Sequence, residues 1–75
     1  MFEKGDYVKV EFKDEASGEN EWMWVQVERT DDAERMLFGT LDNEPVVMTE
    51  LRLGMELAVS YDNVREHMKP GSFNQ

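Results

Sequence analysis

Between Asp6 and Lys13 the chain alternates, with Val8, Val10 and Phe12 on one side and Lys9, Glu11 and Lys13 on the other. A period of two predicts a half-buried strand. The polar residues 14–20, with a glycine at 18, lead into Glu21-Trp22-Met23-Trp24-Val25-Gln26-Val27-Glu28, a second alternating run, and the two runs predict a β-hairpin. Another polar break at 30–34 precedes Arg35 to Leu41, whose interior Gly39 predicts a bulge or a sharp bend. After the turn residues Asp42-Asn43-Glu44-Pro45 come the short run Val46-Val47-Met48 and a strand of about Met55 to Ser60. Tyr61, Val64 and Met68 recur at i, i+3 and i+7, which predicts a short C-terminal helix capped by Ser60 or Asp62 and ended at Pro70-Gly71.

These elements predict a mainly all-β fold, a five-stranded SH3-like antiparallel barrel with a short C-terminal helix, in which closure protects the strand edges. An OB-fold usually needs more residues. At 75 residues the chain is expected to be a single small domain, residues 1–75, ordered from about 5 to 69 with a frayed tail at 70–75. A chain of this mass should expose roughly 4,800 Å² when folded.

Hydrophobic residues make up 40% of the chain, too many for a disordered acidic tail. The absence of cysteine removes disulfides, thiolate zinc sites and a thiol nucleophile from consideration. The longest uncharged apolar stretch, Trp22 to Val25, is far below the ~20 residues that span a bilayer, and no signal pattern opens the chain, so a cytoplasmic location is the expectation. Five of the six methionines, Met23, Met36, Met48, Met55 and Met68, fall at positions expected to face the core.

Charge changes the picture. The net charge is −9, and residues 14–34 hold eight acids against one base, Arg29. Such a segment repels phosphate backbones and anionic membranes, so no nucleic acid and no membrane is expected as partner. The acidic loops themselves, Asp14, Glu15 and Glu19 in one and Asp31, Asp32 and Glu34 in the other, either keep the domain soluble or attract a basic protein. Crowded carboxylates are expected to raise one another's pKa, so that salt or modest acidification stabilises the domain.

Candidate chemistry is sparse. The two acidic loops lie at opposite ends of a hairpin series and lack the Asp-x-Asp-x-Asp-Gly spacing of a calcium loop, so no metal is expected. The one histidine, His67, sits too far from Ser60 for a nucleophile–base pair and reads as a surface residue near a helix C-terminus. The glycines are too widely spaced for a phosphate loop. No catalytic residue, no cofactor and no enzymatic activity are therefore expected.

The two tryptophans are the most informative residues. Placing Met23, Val25 and Val27 on the core face with Val8, Val10 and Phe12 predicts the pairs Phe12 with Met23, Val10 with Val25 and Val8 with Val27. The opposite phase would bury Gln26 unpartnered at a cost of about 1–3 kcal/mol. The preferred phase gathers Tyr7, Lys9, Lys13, Trp22 and Trp24 on the outer face. This face is either covered by the C-terminal helix or the 46–54 connection, or open to a protein partner or a second copy.

The segments Trp24-Val25-x-Val27, Phe38-Gly39-Thr40-Leu41-x-Asn43-x-Pro45 and Leu53-Gly54-Met55-x-Leu57-x-Val59 together resemble a bacterial domain family of unknown function that includes YegJ-like proteins, over about residues 6–68. The resemblance implies a small bacterial domain and supplies no chemistry. The expectation is then a non-enzymatic interaction module that binds a partner or itself through the aromatic face. The alternative is an acidic immunity-like or inhibitor protein whose loops dock on a basic partner.

Overall fold

The computed structural model describes residues 2–45 and 50–71. Five strands form one antiparallel sheet: β1 (Tyr7–Lys13), β2 (Asn20–Asp31), β3 (Met36–Leu41), β4 (Glu56–Ser60) and β5 (Val64–Met68), in the spatial order β4-β3-β2-β1-β5. A single 3-10 turn, Tyr61–Asn63, joins β4 to β5. The predicted run Val46-Val47-Met48 and the tail from Ser72 lie outside the described residues.

The first hairpin forms where the alternation places it, with the predicted faces but a register shifted by two. Val8 lies opposite Val25, Val10 opposite Met23 and Phe12 opposite Glu21. The reason is the tight loop 14–19, closed by Asp14 N–H to the Glu19 carbonyl and by Gly18 N–H to the Asp14 carbonyl, both 2.8 Å. Gly18 at φ +76° and the Ser17 hydroxyl donating to Asp14 Oδ2 (2.9 Å) complete it. A shift of two leaves every side chain on its own face, whereas a shift of one would have turned the core outward.

The predicted bulge is present, on the strand facing Gly39. Val27 pairs with Gly39 and Arg29 with Phe38, so Glu28 is the extra residue of β2. At Gly39 the backbone of β2 comes so close that a β-carbon would stand 2.1 Å from the Gln26 carbonyl oxygen. Glycine is the residue that permits this approach.

The C-terminal helix is not formed. Ser60 does cap as expected, its Oγ accepting from the Asp62 N–H at 3.2 Å, but it caps one turn of 3-10 helix, and residues 64–68 continue as β5, antiparallel to β1. Here β1 decides: its second edge gains a ladder from an extended segment and none from a helix. Between Lys9 and Val10 the register shifts around Arg65, whose side chain turns aside to Glu11 Oε1 (2.9 Å) and the Asp62 carbonyl (2.6 Å).

No ladder joins β4 to β5 among the described residues, so the sheet is open and the expected closed barrel is not formed. It is nonetheless curled. Five flat strands would set the outer two ~19 Å apart, while the short 3-10 link can span only about 13 Å. Curling wraps the inner face around Val8, Val10, Met23, Val25, Val27, Leu37, Leu41, Val59 and Tyr61, with Phe2, Phe12, Leu51, Leu57 and Val64 packed against them. The surface comes to 4996 Å². Of the described methionines only Met23 is buried, while Met36 and Met68 are half-buried and Met55 is exposed. Met36 and Met68 fall on the phase opposite to the core, which the true registers of β3 and β5 determine.

Candidate functional site

The alternation of β1 and β2 brings the predicted aromatic and lysine residues to one outer face. Lys9 lies opposite Trp24, Glu11 opposite Trp22, Tyr7 opposite Gln26 and Lys13 opposite Asn20. The register shift therefore replaces the predicted neighbours of the tryptophans: Lys9, and not Glu11, faces Trp24. Its ammonium stands 5.7 Å from the Trp22 ring and 5.8 Å from the Trp24 ring, within cation–π range of both, and pairs with Glu66 Oε2 at 3.3 Å. Gln26 Nε2 and the Tyr7 hydroxyl are 3.3 Å apart, which gives this amide a partner on the outer face. Lys13 is exposed, two pairs beyond Glu11–Trp22.

The two tryptophans differ in exposure. Trp24 is half-buried, its backbone N–H donating to Asn43 Oδ1 and its carbonyl accepting from Asp42 N–H at 2.8 Å. Trp22 is 51% exposed. The predicted C-terminal helix that would have covered this face is replaced by β5, and Leu51, in the connection before β4, packs toward the core.

The acidic loops are not brought together. Asp14, Glu15 and Glu19 lie at one end of β2 and Asp31, Asp32 and Glu34 at the other, separated by a strand of twelve residues. Part of the second group is committed to the turn: Asp31 Oδ1 accepts from Glu34 N–H at 3.3 Å, and Asp32 Oδ1 accepts the Tyr61 hydroxyl at 2.5 Å. Among the described residues, no group of three or more His, Asp and Glu side chains is placed to hold a metal ion. No described helix is long and apolar enough to cross a membrane.

A second cluster surrounds Asp6, which sequence reasoning missed although its phase with Val8 and Val10 marks it as inward. Its side chain is 2% exposed and accepts the Glu3 N–H (2.9 Å) and Lys69 Nζ (3.1 Å), with His67 Nε2 at 2.6 Å. His67 lies exposed on β5, packed edge-on against Phe2 at 4.8 Å, and partners the buried Asp6 carboxylate rather than the helix C-terminus expected from the sequence. Lys69 also reaches Glu3 Oε1 at 2.8 Å. The cluster ties the segment before β1 to the segment after β5.

Its electrostatics are those of a clasp. Burial pushes the Asp6 carboxyl up, but the hydrogen bonds from His67, the Glu3 backbone and Lys69 outweigh it and hold the pKa below the ordinary carboxylate value. The hydrogen bond and charge of Lys69 lower Glu3 as well. Both carboxyls therefore move opposite to the direction expected from acidic crowding, and they favour the fold at neutral rather than acid pH.

At high pH the sign reverses. Lys69 is raised by its hydrogen bonds to Glu3 and Asp6, and Tyr61 by its hydrogen bond to Asp32 and by burial. Groups raised in the folded state stabilise it below their unfolded values, about 10, and lose that contribution as pH climbs through the folded ones. Melting temperature is expected to fall above pH ~10, and less steeply in Tyr61→Phe. An equally steep alkaline limb in that variant would assign the effect elsewhere.

The model of a family described as uncharacterised proteins conserved in bacteria, DUF2314, matches residues 3–71, which takes in both the aromatic face and the Asp6 cluster. No curated protein and no solved structure matches.

Proposed function

We propose that this chain, which belongs to the DUF2314 family of bacterial proteins, is a non-enzymatic module that binds a protein through the outer face of β1 and β2. The observation that carries this reading is Trp22, 51% exposed on a regular strand beside Lys9 and Trp24. Indoles held on a sheet lose little entropy on binding and dominate protein interfaces out of proportion to their number. Tyr7 and Lys13 extend the face along β1. The loop reading, with both acidic groups docking at once, is not favoured, because β2 holds them apart.

Acrylamide quenching of tryptophan emission tests the premise. Trp22 is expected to supply a readily quenched component that disappears in Trp22→Ala, while the variant's stability changes by no more than about 1 kcal/mol. Light scattering on the same samples reports a second copy as partner if the mass rises with concentration and Trp22→Ala abolishes the rise. A strict monomer with both indoles shielded from acrylamide would overturn the reading.

A further inference from the structure

The end of the aromatic face nearest Trp22 has a charge that selects its partner. Lys9 is paired with Glu66 and Arg65 with Glu11, so these cations are neutralised. Lys13, exposed opposite Asn20, is the cation of this face left in no ion pair among the described residues, and it is outnumbered by the exposed carboxylates of the adjoining loops. Glu15 and Glu19 project from the loop that opens β2, seven and three residues before Trp22, and Asp42 and Glu44 flank Asn43, which is bonded to the Trp24 backbone. All four are exposed, and none is in an ion pair among the described residues. An exposed indole with unpaired carboxylates in the adjoining loops is complementary to a cation on an apolar stem: the ring face takes the guanidinium or ammonium, and the loops take neighbouring positive charges. Lys9, seated within 6 Å of both rings, shows that these indoles hold a cation from within the chain.

We propose that the occupant of this face is a basic polypeptide segment, rich in Arg and Lys, with one cation stacked on Trp22. The inference rests on the interaction face proposed above and adds the chemistry of its partner. The carboxylates steer and select, and the indole supplies the contact that survives once the partner is seated.

The experiment uses the full chain and two peptides of equal length, one built of Arg, Lys and Gly, the other of Leu, Ser and Gly, with tryptophan emission as the readout. The basic peptide is expected to shift the emission. Trp22→Ala should weaken its binding about tenfold or more, measured by calorimetry, and Glu15→Gln with Glu19→Gln should weaken it severalfold. Raising salt from about 50 to about 500 mM should reduce affinity while leaving a Trp22-dependent remainder. If only the neutral peptide binds, and Trp22→Ala removes that binding, the interaction face stands and the basic class is overturned. Binding of the basic peptide that ignores Trp22→Ala would place it on the acidic loop alone and overturn both readings, as would no response to either peptide. Circular dichroism of each variant separates lost binding from lost folding.

Discussion

Gly39→Ala is expected to remove a large part of the stability of this domain, on the order of 2–3 kcal/mol, and Gly39→Val to leave it largely unfolded. The added β-carbon would stand 2.1 Å from the Gln26 carbonyl oxygen, 2.9 Å from its carbonyl carbon and 3.0 Å from Val25 Cγ1. Two of these three atoms are backbone, so no flexible side chain can swing away. Relief requires β2 to move off β3, and that loosens the pairs Val25 with Leu41 and Val27 with Gly39 around which the core is built. A domain of this size has a total stability of only about 4–11 kcal/mol, so the loss is a sizeable fraction. Urea denaturation followed by circular dichroism measures it. The control is Gly18→Ala, where nothing lies within 4 Å and only the positive φ of +76° opposes the substitution, at about 1 kcal/mol. Equal losses at the two sites would mean that the close approach at Gly39 is not what requires glycine there.

Asp6→Ala is expected to cost about 2–4 kcal/mol, because it strips partners from three groups at once and leaves the Glu3 N–H facing an apolar void. His67→Ala and Lys69→Ala should each cost less, since His67 and Lys69 are 30% and 53% exposed at the side chain and water replaces what they lose. The pH dependence identifies the charge. A carboxyl whose pKa is lowered on folding stabilises the fold above its unfolded value, near 4, and loses that contribution as pH falls through the folded value. Stability should therefore be level from pH 7 to about 5 and decline below pH ~4 in the wild type. Asp6→Asn should flatten this decline. Thermal melts from pH 7 to 2 on both proteins decide it, and parallel acid limbs would show that other carboxylates carry the loss.

Much of this architecture was legible as pattern. The alternation of Val8, Val10 and Phe12 with Lys9, Glu11 and Lys13 specified β1 and its faces, the run from Trp22 to Val27 specified β2, and Gly39 marked the bulge. Face assignment is read well because the side-chain period of a strand is two and half-buried strands must match it. The gathering of Tyr7, Lys9, Lys13, Trp22 and Trp24 on one side follows from the same rule and needs no long-range information.

Three features depended on contacts that no local pattern encodes. The exact pairing of β1 with β2 was decided by how tightly loop 14–19 closes, and phase alone allows shifts of two. The segment 64–68 carries apolar residues at Val64 and Met68, four apart, which suit a helix and a strand equally. It became β5 because the free edge of β1, more than fifty residues earlier, offers it hydrogen bonds. The Asp6 cluster joins residues 3, 6, 67 and 69, so its partners could be identified only once β5 lay beside β1. Periodicity reports which way a side chain points relative to its own strand. Which strand lies alongside, in what register, and which distant cation meets a buried carboxylate are settled by packing, where the gain from pairing an edge outweighs the weak preferences of five residues.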